Sequence, residues 1–198
     1  MKTKLFAALI NAAALLSIST TFAATSLSSG WYLDGTVGSS KQEDYTNSGL
    51  STNTTGLAGS MAMGYKFMPF IAAEVGVSQY ALNRLQNSSE TVIKVRTRSY
   101  YLAAKGIVPI ANSGFEPFAK VGISRLTADP QVVDQTAANA VNARTSNASA
   151  TGFYMGAGAQ YYFLPELAVI AEWARANGSS SSTGNMDLYS IGLSYIFG

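Results

Sequence analysis

The last twelve residues, Asp187 to Gly198, read DLYSIGLSYIFG, and their side chains alternate in size. Every second position is large and apolar, whereas the positions between them are mostly small. The large row consists of Tyr189, Ile191, Leu193, Tyr195 and Phe197. Because successive side chains of a β-strand point to opposite faces, this stretch predicts a strand with one bulky apolar face and one small face.

The same alternation recurs along the chain and predicts eight strands. They cover residues 30–39, 56–67, 70–80, 92–107, 115–127, 151–163, 167–176 and 186–197. The breaks alternate as well: those with Pro69, Pro109 and Pro165 are short, whereas the others are long and polar. Short turns at one end, long loops at the other and an even strand number are typical of barrels that span the outer membrane.

The residues of the two rows favour a membrane barrel over a soluble one. In the segment 56–67 the large row ends in Met61, Met63, Tyr65 and Phe67, and the other row is mostly Gly, Ala and Ser. A water-facing row would be rich in charged residues, whereas small residues suit the narrow interior of eight strands. Aromatic residues near strand ends in the large row match interfacial girdles. A secreted β-sandwich or lipocalin-like barrel stays open as the alternative, since its strands also alternate.

Composition and the N-terminus agree with an exported protein. Charged residues are 12% of the 198-residue chain and hydrophobic residues 47%, and there is no cysteine or histidine. Lys2 and Lys4 precede an apolar core and small residues, so residues 1–23 are predicted to be a cleavable signal peptide and residues 24–198 the barrel domain. Removing those two lysines leaves 11 basic residues, equal to the 11 acidic residues, so we expect no binding of nucleic acid.

The stretches GWYLDGTVG, GYKFMPFIAAEVGV, LAAKGIVPI, LPELAVIAEWARANG and IGLSYIFG resemble the OmpA-type family of transmembrane barrels. The resemblance implies an all-β fold: an eight-stranded antiparallel up-and-down β-barrel in the Gram-negative outer membrane. It covers the barrel domain only, so we expect no peptidoglycan-binding domain. The last strand also resembles the C-terminal signal that assembly machinery reads, with Tyr189, Ile191, Leu193, Tyr195 and Phe197 as its residues, although Gly198 follows the final aromatic residue.

The resemblance also implies charged side chains inside the barrel. The alternation places Glu74, Lys105, Lys120 and Glu172 in the inward row, where we expect them to form a paired cluster. Related barrels can carry an acid and an arginine where this chain has Gln160 and Ile170, so we expect a smaller network. The cluster is either a static polar plug or a switchable ion gate.

A second set of charges lies in the outward row. Arg96, Arg98 and Arg125 continue that row toward the long loops. Arginine matches phosphate geometry, so these residues are predicted to contact phosphates of lipopolysaccharide. The alternative is that they are solvated above the bilayer.

Without histidine, the sequence favours neither a hydrolase nor a transferase, and we predict no enzyme, no cofactor and no metal site. The predicted function is a small structural or surface-interaction barrel, an adhesin type that binds a host or phage surface ligand through the loop 128–150. A narrow channel for small solutes or ions is the alternative, although eight strands leave little interior space. We expect a monomer in contact with outer-membrane lipid, lipopolysaccharide and the assembly machinery.

Overall fold

In the computed structural model of the chain, the described residues are 26–43, 52–53, 55–81, 83–87, 90–111, 113–132, 148–178 and 184–197. These residues form ten β-strands. The strands are β1 (Gly30–Glu43), β2 (Thr52–Asn53), β3 (Thr55–Met68), β4 (Ile71–Gln79), β5 (Asn83–Asn87), β6 (Glu90–Ile107), β7 (Phe115–Val132), β8 (Ala148–Tyr162), β9 (Leu167–Ala176) and β10 (Asn185–Phe197). No described segment is a helix long and apolar enough to cross a membrane.

Eight of these strands form a closed antiparallel barrel. Its circular order is β1, β3, β4, β6, β7, β8, β9 and β10, and each strand pairs with the next. Pairing of β1 with β10 closes the sheet, from Trp31 opposite Phe197 to Glu43 opposite Asn185. The predicted eight-stranded fold is therefore confirmed, and the secreted sandwich is excluded because no open edge remains among the barrel strands.

The short strands β2 and β5 were not predicted. They lie in segments that the polar sequence indicated to be loops, and β5 pairs with β6 from Asn83 opposite Val95 to Asn87 opposite Glu90. Likewise β7 continues to Val132 and β8 begins at Ala148, so only residues 133–147 of the predicted loop 128–150 lie outside the described residues. The reason is that a hydrogen-bonded ladder continues beyond the membrane, where side chains no longer alternate in hydropathy.

The small inward row is explained by aromatic rings that cross the lumen. A Cβ atom added at Gly64 would lie 2.3 Å from the Tyr32 ring, and one at Gly76 would lie 2.5 Å from the Tyr101 ring. The outward row is instead bulky and exposed; Leu57, for example, is 81% exposed. Bulky apolar side chains thus cover the outer wall, whereas glycines inside make room for buried tyrosines.

Aromatic residues mark both ends of the membrane-facing wall. At the short-turn end Trp31 contacts Tyr65 edge to face, with 5.2 Å between the ring centroids. At the long-loop end Tyr189 lies opposite both Ser39 and Trp173. The eight residue steps from Trp31 to Ser39 correspond to roughly 20 Å along the membrane normal for a strand tilted by about 40°. This separation matches an apolar band between two interfacial girdles.

Candidate functional site

The centre of the lumen is occupied by one lysine between two carboxylates. Lys120 on β7 lies 2.7 Å from Glu74 Oε1 on β4 and 2.7 Å from Glu172 Oε2 on β9. Glu74 also accepts a hydrogen bond of 2.9 Å from the hydroxyl of Tyr32. These strands are not neighbours around the barrel, so the ion pairs cross the lumen and connect its opposite walls.

The fourth predicted residue, Lys105, has a different set of partners. It lies directly opposite Lys120 in the β6–β7 ladder, and like charges at such positions repel. Lys105 instead lies 3.6 Å from the Asp34 carboxylate and donates a 3.1 Å hydrogen bond to Gln160 Oε1. Its ammonium group also lies 4.3 Å from the centroid of the Phe118 ring. The structure therefore places all four predicted residues in the lumen, with Lys105 paired to an acid that the sequence interpretation missed.

A further ion pair lies at the short-turn end of the lumen. Lys66 on β3 is 3.4 Å from Glu116 on β7, and Gln160 Nε2 donates a 2.7 Å hydrogen bond to the same carboxylate. Lys66 also donates to the Ser26 hydroxyl at 2.9 Å, and Ser26 in turn donates to Glu116. Because Gln160 contacts both Lys105 and Glu116, it joins this pair to the rest of the network.

The network contains more charged residues than the four that the sequence named, and whether it is smaller than that of related barrels stays a prediction. We define the lumen network as the seven charged residues Asp34, Lys66, Glu74, Lys105, Glu116, Lys120 and Glu172 together with Gln160. An amide in place of an acid does not shrink it, because an amide donates and accepts at once. Asp34, Lys66 and Glu116 could have been found from the sequence, since each occupies the inward row of its strand.

The lumen network contains four acids and three lysines. Asp34 is the least satisfied of them: neither of its carboxylate oxygens accepts a hydrogen bond from the described residues, and its contact with Lys105 is the longest ion pair in the network. The lysine side chains are at most 2% exposed. Burial of charge at this depth is tolerated because the partners supply opposite charge and hydrogen bonds.

Apolar clusters lie on both sides of the central charges. Toward the long loops, the Tyr101 and Tyr154 rings stack with centroids 4.2 Å apart, and Leu126 and Leu188 are buried beside them. Toward the short turns lies a second cluster, which comprises Tyr32, Ala72, Ile107, Phe118, Tyr162, Ala168, Ile170 and Ile196, with Leu27 packed against it. The position at which related barrels can carry an arginine thus holds Ile170 as part of an apolar layer.

The predicted outward arginines lie near the long-loop rim. Arg98 is opposite Thr127 and Arg125 is opposite Tyr100, so the two bases are offset by two residues rather than level. Arg125 donates to the Ser149 hydroxyl at 3.3 Å. Arg96 is opposite Asp129, and its Nε is buried without a hydrogen-bond partner among the described residues. Their contact with lipopolysaccharide stays a prediction.

Arg175, at the same rim, is engaged within the protein. It forms two hydrogen bonds with Asp187, of 2.7 Å from Nε and 2.6 Å from Nη2, and the indole of Trp173 donates to the same carboxylate at 3.3 Å. An acid in an outward row was not expected from the sequence. It is stable there because the Arg175 fork covers both carboxylate oxygens.

Comparison with protein families identifies this architecture. Residues 10–197 match the sequence model of a family described as the outer membrane protein β-barrel domain. The chain belongs to this family. It is a small integral barrel of the Gram-negative outer membrane, as the resemblance to OmpA-type barrels predicted. A search of curated protein sequences finds no match.

Solved structures of outer-membrane barrels are similar in fold. Neisserial surface protein A (NspA) has a TM-score of 0.63 at 13% identity, over 86% of this chain and 100% of that chain. OprG from Pseudomonas aeruginosa has a TM-score of 0.61 at 13% identity, over 87% and 97%. Ail, the attachment invasion locus protein of Yersinia pestis, has a TM-score of 0.54 at 14% identity, over 87% and 100%, in a complex with the heparin analogue sucrose octasulfate.

Within this outer-membrane barrel, the last strand has its large row on the outside. The residues Tyr189, Ile191, Leu193, Tyr195 and Phe197 are between 44% and 56% exposed. Their backbone also forms the seam with β1. The assembly signal stays a prediction, and the geometry is compatible with it because these side chains form no part of the interior. The signal peptide, residues 1–23, lies outside the described residues and also stays a prediction.

Proposed function

We propose that this protein is a non-conducting surface-interaction barrel, whose lumen is closed by its own side chains and whose raised outer strands bind a surface ligand. The observation that carries the proposal is the pairing of Lys120 with both Glu74 and Glu172 across the centre of the barrel. We assign no catalytic role, since the chain has no histidine to act as a general base.

Closure follows from two barriers in series. An ion at the central level would have to displace Lys120 from two carboxylates at 2.7 Å, which would leave buried charges without partners. It would also have to pass apolar layers such as the stacked Tyr101 and Tyr154, which offer little to replace a hydration shell. Together these barriers favour a static plug over a gate.

The surface role is supported by the length of two neighbouring strands. β6 and β7 have 18 residues each. At a tilt of about 40° such a strand spans roughly 45 Å, whereas the apolar band of an outer-membrane barrel is about 25 Å tall. The surplus lies at the long-loop end, because the short turn from β6 to β7 holds the other end. We call this projecting part, with β5 paired to β6, the raised sheet.

Charge in the raised sheet favours an anionic ligand. Arg84 on β5 is opposite Lys94 on β6, and Arg96 follows two residues later. Of the ladder positions in this region, Glu90 and Asp129 are the acidic ones. The complex of Ail with a heparin analogue supports heparin as a probe for an anionic glycan. We propose that the raised sheet binds such a glycan on a host surface.

Planar bilayer recording tests the closed lumen. The purified, refolded protein should give no conductance steps, whereas a variant with Lys120, Glu74, Glu172, Tyr101 and Tyr154 all changed to alanine should conduct, because it lacks both the central charges and the stacked tyrosine layer. An Arg125→Gln variant prepared in parallel controls for refolding and should be silent. Steps from the unaltered protein would support the channel alternative instead.

Heparin affinity tests the raised sheet. Replacing Arg84 and Lys94 by glutamine should lower the salt concentration that elutes the protein from a heparin column, since fewer counterions are released on binding. The matched control replaces Lys41 and Arg125 by glutamine, which removes the same charge elsewhere on the rim. Equal elution of the two double variants would show that general positive charge, and not the raised sheet, governs retention.

A further inference from the structure

A groove runs across the outer wall of the barrel, at the half nearer the long loops. It consists of two adjoining depressions, of about 670 Å³ and about 470 Å³, which share Met61, Val77 and Tyr100. We call it the lateral groove and define it by Gly35, Gly59, Met61, Val77, Arg98 and Tyr100. Each depression has the size of a small-molecule site, although both lie in a wall that faces lipid.

The groove exists because two glycines interrupt the bulky outward row. Gly35 lies opposite Met61, and Gly59 lies opposite Val37, so the gaps are on adjacent strands and diagonal to each other. Nothing lies within 4 Å of a Cβ atom built on Gly35. From Arg98 on β6 across β4 and β3 to Gly35 on β1, the floor crosses three strand spacings, or roughly 14 Å. This shape fits one extended hydrocarbon chain.

Arg98 lies at the upper end of the groove with its charge available. Its side chain forms no hydrogen bond or ion pair with the described residues, in contrast to that of Arg175 at the same rim. Arg96 lies two residues further from the membrane, and its Nε likewise lacks a hydrogen-bond partner among the described residues. A guanidinium pair above an apolar groove is complementary to a molecule with a phosphate joined to acyl chains.

We infer that the lateral groove binds one acyl chain of lipopolysaccharide, and that Arg98 and Arg96 hold a phosphate of its glycolipid headgroup. The position selects this occupant, because the groove opens to the leaflet below the long loops and its charged end lies at the headgroup level. A second copy of this chain would bring an apolar wall against Arg98 and leave its charge uncompensated. This inference shares Arg96 with the glycan proposed for the raised sheet, but its tests vary Gly35 and Arg98, whereas the heparin test varies Arg84 and Lys94.

Native mass spectrometry of the detergent-solubilised barrel with added lipid A tests the inference. We expect one lipid A to stay bound to each barrel. Gly35→Leu places a side chain into the groove floor, where a Cβ atom has nothing within 4 Å, and should weaken binding about tenfold. Arg98→Gln removes a charge-assisted hydrogen bond and should weaken binding by a similar factor. Arg98→Lys should recover part of the affinity, since lysine binds phosphate as a point charge.

Two matched variants provide the controls. Ala171→Leu adds the same side chain to an outward position of β9 that lies outside the groove, and Lys41→Gln removes one base from the same rim. Both should bind lipid A as the unaltered protein does, and all variants should keep the gel mobility shift between boiled and unboiled samples. Equal loss in groove and control variants would overturn the inference and indicate ordinary boundary lipid.

Three further outcomes would contradict the assignment. If phosphatidylglycerol displaces lipid A at equal concentration, the groove does not select the glycolipid. If Gly35→Leu weakens binding and Arg98→Gln does not, no phosphate is held at the upper end. If the barrel is a dimer that Gly35→Leu dissociates, the occupant is a second copy.

Discussion

Among the residues that the structure describes, the cations inside the barrel all have carboxylate partners within the chain, whereas those on its outer wall do not all have one. Lys66, Lys105 and Lys120 are buried, and each lies within 3.6 Å of a carboxylate. Arg98, on the outer wall, forms no such contact with the described residues. The lumen is narrow and filled with side chains, so a charge there must find its partner within the chain. An outward charge at the rim can take its partner from lipid or water, so a partner within the chain is not required there: Arg175 has one in Asp187, whereas Arg98 has none among the described residues.

Truncating the last strand, β10, should have the largest effect of the changes considered, a loss of assembled barrel from the outer membrane. Deleting residues 195–198 removes two outward aromatic residues and part of the seam with β1, so assembled barrel in the outer membrane should fall severely. The measurement is the amount of heat-modifiable protein in isolated outer membranes. Deleting four residues from 133–147 is the matched control and should have a smaller effect. Comparable losses would show that chain length, and not the terminal row, limits assembly.

Removing an inward cation should destabilise the folded barrel strongly. Lys120→Met leaves Glu74 and Glu172 without their shared partner and should lower the free energy of unfolding by about 3–5 kcal/mol. Urea titration in lipid vesicles, followed by tryptophan fluorescence, measures it. Changing both glutamates to glutamine in the same variant should restore much of the stability. The outward control Arg125→Gln should change the free energy of unfolding by less than about 0.5 kcal/mol. A loss equal to that of Lys120→Met would show that inward and outward cations contribute equally to stability.

Replacing an inward glycine should destabilise the barrel more than replacing an outward one. Gly76→Leu places a side chain against the Tyr101 ring and should cost about 1–3 kcal/mol through overpacking. Gly35→Leu extends into open space on the outer wall and should be close to neutral. The same urea titration compares them. Similar losses would mean that the strand backbone, and not the crowded lumen, requires glycine.

Among the charged residues of the lumen network, Asp34 should contribute least to the stability of the barrel. Asp34→Asn removes the excess acid and breaks a contact of 3.6 Å without a hydrogen bond, so its effect should be below about 1 kcal/mol. Glu74→Gln is the matched control and should cost more, because Glu74 lies 2.7 Å from Lys120 and accepts from Tyr32. A larger loss of stability for Asp34→Asn than for Glu74→Gln would show that the contact between Asp34 and Lys105 stabilises the barrel more than the pair of Glu74 and Lys120.

Side-chain alternation was enough to predict the barrel but not the full site. Glu74, Lys105, Lys120 and Glu172 occupy the inward row, and the same rule applies to Asp34, Lys66 and Glu116. Pairing could not be obtained from that rule, because Lys120 contacts acids on strands that are not adjacent to each other. The choice of partner depends on the barrel's closure, which brings distant strands across a narrow lumen. The β5 strand was missed because its polar sequence lacks the hydropathy pattern of a membrane strand.

The sequence by itself determined the number of barrel strands, the face that each side chain occupies and the end at which the long loops lie. These features follow from the period of two along a strand and from the spacing of turn residues. Only the tertiary structure decided which charges pair, that Gln160 joins two ion pairs, and that Gly35 and Gly59 align into one groove. Each of these depends on strand register and closure, which set distances between residues far apart in the chain.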